Sequence, residues 1–497
     1  MEIPEEIKSK FPECPPEIVA YIYYLHEKID KLEARVAELE SRLNLNSNNS
    51  GKPPSSDGYA RKNRATSLRV KTQKKPGGQP GHKGKTLEQS PDPDHIETHS
   101  PDFCSCCGSS LQGGTVFSIE KRQVFDVPPP PAIEITEHRS QTLVCTHCGC
   151  KTSGVFPPDI TQPVQYGSRI KAYLSYLVHY QFIPYERAVE ACYDLFGVSL
   201  SPGTIVNLTH TLSAKLTRFK EFVTNALKFE PIIHNDETGV RVEGKLHWLH
   251  VTCTSQWTHY SIQKKRGTEG IKNVGILPDF KGISIHDFWK PYLSYPCTHS
   301  FCCAHILREL KRVEEETNQE WPAKLIELLI QAKEIKEEYH PDGVPIPPVM
   351  RNSLNSAYDE LIQIGFDENP PPIKPLGRKG RTKKTFARNL LERLELYKDG
   401  VLRFIHNQIV PFDNNLAERD IRMMKVKMKI SGGFRDKSTA EAVTLIRSYI
   451  STIRKNGIRV IEAIASAFEN NPWIPGENKM RTDAKGNMRV STCYQHA

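Results

Sequence analysis

The sequence predicts a multidomain α+β protein, with several small N-terminal segments ahead of a core of mixed strands and helices. A heptad pattern near the N-terminus predicts one long helix. Two Cys-x-x-Cys pairs follow it, and residues 230–310 alternate strand patterns with a helical one. A chain of 497 residues has room for about three domains of ordinary size.

The charge is basic and clustered, with a formal net charge of +9. Residues 61–85 hold nine basic residues and no acidic one, and residues 374–388 hold seven and none. Such runs indicate a polyanionic partner, above all nucleic acid, although a solvated basic tail gives the same pattern. No apolar run reaches the ~18 residues of a membrane span, and the Glu- and Pro-rich N-terminus is unlike a signal peptide. We therefore expect a cytoplasmic, nucleoid-associated protein with no membrane partner.

The first predicted element is a coiled coil. Its apolar residues alternate steps of four and three, as in a seam that faces a partner helix: Ile18, Ile22, Leu25, Ile29, Leu32, Val36, Leu39 and Leu43. β-Branched residues at most a positions favour a parallel homodimer. A single amphipathic helix packed on its own domain is the alternative.

A basic arm and a cysteine-rich segment come next. The arm is rich in Gly, Ser, Asn, Pro and Lys, so it predicts a flexible DNA-contacting segment that includes Lys74, Lys75 and Lys83. Cys104-x-x-Cys107 and Cys145-x-x-Cys148 are each followed by Gly, which permits a tight turn around a thiolate. Together they predict a zinc ribbon with four sulfur ligands, and its zinc is structural because no coordination position stays open.

A helix, a Gly turn and a second helix are predicted between Tyr185 and Leu212. Ser201 is a natural N-cap, and Pro202 suits the first helical position. The pattern is typical of a helix-turn-helix that reads DNA, and an ordinary helical hairpin explains it equally well.

The core is predicted from three antiparallel strands, a helix and a further strand parallel to the first. The strands are expected at 232–242, 245–254 and 258–263, and the parallel one ends at Asp287. This order opens a ribonuclease H-like fold, in which neighbouring strand ends bring Asp236 and Asp287 together. Three further stretches are predicted to be helical, at 321–338, 351–364 and 388–407. We interpret residues 311–399 as a helical insertion whose basic linker includes Arg378, Lys379 and Arg381.

The third carboxylate is Glu418, near the start of a predicted helix that Asp413 and Asn414 can cap. Arg422 and Lys425 follow Glu418 at helical spacing, so one face of this helix offers a metal ligand and a row of basic side chains that can contact successive phosphates. A surface helix with a Glu418–Arg422 pair is the simpler alternative. If the three carboxylates converge, their hard oxygen ligands suit Mg²⁺ or Mn²⁺.

Cys302, Cys303 and His305 could also bind metal, but the sequence places no second ligand pair nearby. Packing at the start of a helix is therefore the favoured interpretation of these three residues. For Arg308 and Arg419, we expect contacts to phosphate or to the carboxylates, with a surface ion pair as the alternative.

In order along the chain, these features resemble the transposases of the IS sixty-six insertion-sequence family. The resemblance covers the zipper, the Gly-Gly-Gln-Pro-Gly-His-Lys-Gly arm, the cysteine pairs, His234-Asn235-Asp236-Glu237-Thr238, Cys303-Ala304-His305-x-x-Arg308 and Asn415-x-Ala417-Glu418-Arg419. It implies a DDE recombinase whose triad is Asp236, Asp287 and Glu418, acting on transposon-end and target DNA. It also implies small accessory proteins of the same element as partners. After Asp287 this chain has Phe288-Trp289 where many relatives have Gly-Tyr.

Two other classes of function fit part of the pattern. The zipper, arm, ribbon and helix pair alone would serve a repressor or an inactive transposase relic, and the core alone would serve a structure-selective nuclease. The acidic trio argues against a pure binder, because clustered negative charge repels phosphate.

The expected segments are a coiled coil at 15–44, a basic arm at 45–100, a zinc ribbon at 101–155, a helical region at 160–229, a catalytic core at 230–310 and 400–470, the insertion at 311–399 and a tail at 471–497.

Overall fold

The computed structural model describes residues 8–46, 49–50, 88–126, 133–339, 344–372 and 382–475, together with the backbone of two short strands beyond them. The chain divides into two compact units. Unit 1 contains residues 1–65, 137–194 and 198–497, and unit 2 contains residues 66–136 and 195–197. Within the described part of the chain, none of the helices has the length and apolar character needed to cross a membrane.

The N-terminal helix, α1 (Pro16–Asn44), is 29 residues long. Its apolar seam faces solvent along most of its length, with Leu32 62% exposed and Leu43 80% exposed. The other end of the seam shows the same exposure, since Ile18 is 50% exposed. The helix that the heptads predicted is therefore present, and its seam is open to a partner.

The two cysteine knuckles have the local form that the sequence predicted. In unit 2, the Gly108 N–H donates to the Cys104 carbonyl at 2.9 Å, and Gly108 has a φ of +71°. In unit 1, the Gly149 N–H donates to the Cys145 carbonyl at 2.8 Å, and Gly149 has a φ of +70°. Only glycine adopts this backbone conformation without strain, so each turn needs the Gly that follows its second cysteine. Strands β1 (Thr142–Val144) and β2 (Lys151–Ser153) form a hairpin around the second knuckle.

Four helices lie between the second knuckle and the main sheet. They are α2 (Ser168–Ser175), which continues as a π-helical turn to Tyr180, α3 (Tyr185–Phe196), α4 (Pro202–Lys215) and α5 (Thr217–Phe229). Gly197 has a φ of +67°, and the Ser201 hydroxyl accepts the Thr204 N–H at 3.3 Å. The turn and the N-cap predicted at this position are confirmed. A role for α4 in a DNA groove stays a prediction.

The core of unit 1 is a mixed five-stranded sheet with the strand order β5-β4-β3-β6-β7. Strands β3 (Ile232–Val242), β4 (Lys245–Cys253) and β5 (Thr258–Gln263) are antiparallel. After helix α6 (Thr268–Val274), strands β6 (Ile283–His286) and β7 (Thr298–Phe301) run parallel to β3. The β3–β4 hairpin turns at Glu243 and Gly244, both with positive φ, as a two-residue turn between twisted strands requires. The directions of β3, β4, β5 and β6 are those predicted from the sequence, whereas the edge strand β7 was not predicted.

Helices cover both faces of the sheet. Helices α7 (Cys303–Thr317), α8 (Trp321–Tyr339), α9 (Pro348–Glu368), α10 (Phe386–Leu396) and α11 (Lys398–His406) form one apolar core with Ile285 of β6 and Phe301 of β7. The stretch expected as an insertion thus shares its core with the sheet. The sequence predicted one helix over 388–407, but the chain breaks at Tyr397. The break brings Gly400 against β7, where an added Cβ would stand 2.5 Å from the Phe301 ring.

The opposite face is covered by α12 (Asn415–Ser431) and α13 (Lys437–Lys455), which are followed by α14 (Val460–Phe468). Ala417, Ile421 and Met424 of α12 are buried against Val240 and Val251 of the sheet, with Met428 partly buried beside them. The apolar stripe predicted for this helix is therefore confirmed. Two backbone strands, β8 (Asn478–Thr482) and β9 (Met488–Thr492), pair near the C-terminus.

Candidate active site

Asp236 and Asp287 lie on the two strands at the centre of the sheet. The parallel register pairs Ile232 with Ile283 and His234 with Ile285, an offset that places Asp236 beside Asp287. Because side chains alternate along a strand, both carboxylates lie on the same face. On the other face, Asn235 bonds to Ser284 at 3.0 Å and accepts the Thr252 hydroxyl at 2.7 Å. These bonds fix β3 against both of its neighbours at the level of the two aspartates.

Glu418 reaches this region because Asn414 attaches the start of α12 to β3. The Asn414 Oδ1 lies 2.9 Å from His234 Nδ1, and its Nδ2 donates to the Asn235 carbonyl at 2.8 Å. The sequence predicted that Asp413 and Asn414 would cap the helix. Asn414 does lie at the N-cap, but its side chain makes no capping bond because it bonds to the strand. Glu418 lies one helical turn beyond this attachment, and its negative charge contributes to the raised pKa of Asp236.

The three carboxylates act on one another electrostatically. The pKa of Asp236 is raised well above its ordinary value, first by burial and then by the negative charges of Glu237, Asp287 and Glu418. The pKa of Asp287 is raised to about 6, again by burial and then by Glu237, although the Trp289 N–H bond opposes the shift. Buried carboxylates with raised pKa values are energetically unfavourable as anions, so a divalent cation would fit this position.

Backbone N–H groups orient both aspartates. The Glu237 N–H donates to Asp236 Oδ1 at 2.9 Å, and the Trp289 N–H donates to Asp287 Oδ1 at 3.0 Å. Each carboxylate therefore keeps its other oxygen for a further ligand. The pair is fixed in place before any metal binds.

Glu237 forms a buried cluster beside the aspartates that sequence reasoning missed. Its side chain is 2% exposed and accepts two bonds from Arg266, at 3.0 Å and 2.8 Å, and one from the Tyr292 hydroxyl. The Arg266 guanidinium lies between Trp248 and Trp289, at 4.9 Å and 4.1 Å from their rings. The cluster connects β3, β4 and the segment after Asp287. Its members have no regular spacing in the sequence, so only the adjacent Asp236-Glu237 pair could have pointed to it.

Glu418 also belongs to a tight group of metal-ligating side chains with Cys302 and His305. One ligand atom from each residue lies within 4.8 Å of the other two. The sequence favoured simple packing for Cys302, Cys303 and His305, because it showed no further ligand nearby. That expectation is correct for Cys303, which is buried in the apolar core. It is incomplete for Cys302 and His305, since folding brings Glu418 to them from more than a hundred residues away.

The basic residues that the sequence predicted to contact phosphate or the carboxylates fall into three sets. Arg308 points inward, with its Nη2 3.9 Å from Glu418 Oε1, so it orients a carboxylate. The ion contacts of Glu418 within the described residues are with His305 and Arg308 of α7 rather than with Arg422. Arg419 and Arg422 are exposed on α12, and Lys425 is half-buried. The remaining candidates lie outside the described residues: Lys74, Lys75, Lys83, Arg378, Lys379 and Arg381.

The sequence placed both aspartates at strand ends; Asp287 directly follows β6, but Asp236 lies inside β3. Acidic residues on adjacent parallel strands, with basic side chains on a neighbouring helix, are typical of a nucleic-acid-processing enzyme. The family model described as Transposase IS66 family matches residues 163–442, more than half of the chain and all three carboxylates. The chain therefore belongs to the IS66 transposase family, as its motifs indicated. Residues 4–88 match a second model, described as a family of unknown function. A comparison with curated proteins finds no match.

Proposed function

We propose that this transposase cuts and joins DNA as a DDE recombinase, with Asp236, Asp287 and Glu418 as its catalytic carboxylates. The observation that carries the proposal is the convergence of three separate segments: in the β3–β6 register Asp236 lies beside Asp287, and the Asn414 bonds attach the helix that carries Glu418 to β3. The strand directions, three antiparallel strands followed by two strands parallel to the first, support a ribonuclease H-like core.

The three carboxylates would hold Mg²⁺ or Mn²⁺, since both ions prefer hard oxygen ligands. Such ions, when bound, would supply the Lewis acidity that activates an attacking oxygen and stabilises a leaving one. The protein contributes the fixed positions of Asp236 and Asp287, and Arg308 keeps Glu418 in place. The exposed Arg419 and Arg422, with Lys425, lie on the same helix as Glu418 and would position the phosphate backbone.

The proposed chemistry balances without a covalent protein intermediate. In cleavage, water attacks the phosphorus at the transposon end, and the P–O3′ bond breaks to leave a 3′-hydroxyl and a 5′-phosphate. In joining, that 3′-hydroxyl attacks a target phosphodiester and displaces the target's own 3′-oxygen. The number of phosphodiester bonds is conserved in the second step, so no external energy source is needed. Because water and the 3′-hydroxyl are the attacking groups, we assign no Ser or Tyr nucleophile.

The open seam of α1 supports homodimerisation through a coiled coil. Burial of one leucine typically contributes about 1.5–3 kcal/mol, and several seam residues are exposed in the single chain. Pairing two copies would remove this apolar surface from water and bring two DNA-binding regions together. Two transposon ends need two such regions, so the dimer fits the proposed reaction. Small accessory proteins of the same element remain a proposal that follows from the family.

The knuckles support a structural zinc held by Cys104, Cys107, Cys145 and Cys148. The pKa of Cys107 is lowered to about 7, chiefly by a bond from the Ser109 hydroxyl, and that of Cys145 is lowered by backbone bonds. Lowered values favour thiolates, which are the zinc-binding form.

We expect the double variant Cys104→Ser, Cys107→Ser to lose one equivalent of zinc and to bind transposon ends more weakly. The physical reason is that two sulfur ligands do not hold zinc tightly enough to order the segment. Metal analysis and a DNA mobility-shift titration measure the two effects. Cys106→Ser, which changes a neighbouring thiol, is the matched control and should behave as the wild type. Unchanged zinc content in the double variant would exclude the ribbon.

A Mg²⁺-dependent strand-transfer assay with the element's own ends tests the proposed function. The full chain is incubated with labelled end DNA and a target plasmid, and cut and joined products are separated on a gel. Cleavage together with joining is the expected result. Cleavage alone would indicate a structure-selective nuclease, and DNA binding alone would indicate a repressor or a relic.

A further inference from the structure

We propose that Cys302, His305 and Glu418 form a binding site for a transition-metal ion of the zinc class, which shares Glu418 with the proposed hard-oxygen site of the two aspartates. The site stands on its own residues, and only its link to catalysis through Glu418 rests on the proposed function. Cys302 and His305 are one helical turn apart at the start of α7, so both reach the same side of that helix. Helix α12 brings Glu418 to that side.

The separations suit one shared ion. Zinc lies about 2.0–2.3 Å from nitrogen, oxygen and sulfur ligands, so tetrahedral ligand atoms are about 3.3–3.8 Å apart. His305 Nδ1 and Glu418 Oε1 are already 3.7 Å apart. The Cys302 sulfur lies within 4.8 Å of both ligand atoms, and a small side-chain movement closes the difference.

Two of the three ligating side chains hold a buried atom that makes no hydrogen bond, and the Arg308 Nη2, 3.9 Å from Glu418 Oε1, is too distant to donate one. His305 Nδ1 and Glu418 Oε1 are both buried from solvent and make no hydrogen bond. Their 3.7 Å separation is too long for a hydrogen bond between them. A neutral imidazole has a lone pair to offer a metal ion. A cation between the two atoms would satisfy both, whereas without one each stays buried and unpaired.

The two neighbouring cysteines behave differently. The Cys302 sulfur accepts the Asn414 N–H at 3.2 Å, as metal-bound thiolates commonly do. The Cys303 sulfur instead donates to the carbonyls of Val401 and Phe301, at 3.6 Å and 3.8 Å. Cys302 therefore has the surroundings of a ligand, and Cys303 has those of a packed thiol.

The ligand set selects the metal. One thiolate, one imidazole and one carboxylate favour zinc over magnesium, because sulfur and nitrogen are softer donors than oxygen. Three protein ligands leave a fourth position for water or for a phosphate oxygen, as in sites that meet substrate. Arg308, with its Nη2 3.9 Å from Glu418 Oε1, adds positive charge beside that position.

Metal analysis of the full-length chain tests the site without any DNA. Wild type, Cys302→Ser and His305→Ala are purified in parallel, dialysed free of loose zinc and compared for zinc per chain. We expect each variant to lose one equivalent relative to the wild type. Cys303→Ser is the matched control, since it removes the adjacent thiol and should keep the full zinc content.

Cobalt substitution gives a second readout. The absorption band that arises from sulfur-to-cobalt charge transfer should weaken in Cys302→Ser and stay unchanged in Cys303→Ser. Circular dichroism shows which variants are folded. Equal zinc content in wild type and in either folded variant would overturn the proposal. Loss of zinc in Cys303→Ser to the same extent would also overturn it, because the effect would then be general damage to this end of α7.

The two proposals fail separately. If Cys302→Ser keeps its zinc while Asp236→Asn stops strand transfer, the zinc-class site is wrong and the recombinase stands. If Cys302→Ser loses zinc while the wild type neither cuts nor joins DNA, the metal site stands and the proposed reaction is wrong.

Discussion

Replacement of Asp236 by Asn is expected to reduce cleavage of transposon ends by more than about 100-fold. Mutation of residues that only hydrogen-bond to a metal ligand typically lowers metal affinity or activity by about 10- to 100-fold. Asp236 is itself a proposed ligand, so its loss should have a larger effect. Asn keeps the shape of the side chain but loses the negative charge that would hold the cation. Cleavage of labelled end DNA in Mg²⁺ measures the effect.

Binding of the same DNA should be unchanged in this variant, because the proposed contacts to phosphate come from other residues. Asp359→Asn is the matched control, since Asp359 is an exposed aspartate of α9 that pairs with Lys398 at 2.6 Å. It should cut DNA like the wild type. Residual cleavage by Asp236→Asn above a tenth of the wild-type rate would remove Asp236 from the catalytic site.

Replacement of Asp287 by Asn is expected to stabilise the fold at neutral pH while it impairs cleavage. The pKa of Asp287 is raised from 3.8 to about 6, first by burial and then by Glu237. Its neutral form therefore stabilises the native state fully below pH 3.8, and this contribution is lost as the pH rises through about 6. The shift corresponds to roughly 3 kcal/mol at pH 7.5. Asn is neutral at every pH, so the variant does not lose this stability at pH 7.5.

Urea unfolding of the wild type and of Asp287→Asn at pH 4 and pH 7.5, without divalent cations, measures this difference. The variant should unfold at a higher urea concentration than the wild type at pH 7.5, and the two should be closer at pH 4. Asp279→Asn is the control, because Asp279 is exposed and its pKa is lowered by Lys228 at 2.8 Å. That variant should gain no stability. A lower midpoint for Asp287→Asn at pH 7.5 would contradict the burial argument.

Much of the local structure followed from the sequence. The β3–β4 hairpin was predicted from two alternating runs around Glu243-Gly244, and the apolar stripe of α12 from its helical spacing. Ser201 and the glycines after the cysteine pairs were also predicted in their observed roles. These features depend on residues a few positions apart, so a periodic pattern or a turn residue is enough to specify them.

The contacts that assemble the site were not predictable in the same way. Asn414 looked like a helix cap, yet its side chain bonds to β3 and attaches the helix that carries Glu418 to that strand. The expected helix over 388–407 breaks at Tyr397 because α11 must approach Phe301 closely. In both places a distant part of the chain offers a better partner than the local one, and tertiary packing overrides local preference.

The sequence by itself indicated the family, predicted the directions of the first four core strands and supplied Asp236, Asp287 and Glu418 as candidate carboxylates, because motifs and periodicity are local properties of the chain. Only the tertiary structure decided that Glu237 is paired with Arg266 between two tryptophans and that Glu418 meets Cys302 and His305. Those neighbours come from separate strands and helices, and their proximity is fixed by how the helices pack on the sheet. The chemistry available to Glu418 therefore depends on packing that no spacing in the sequence records.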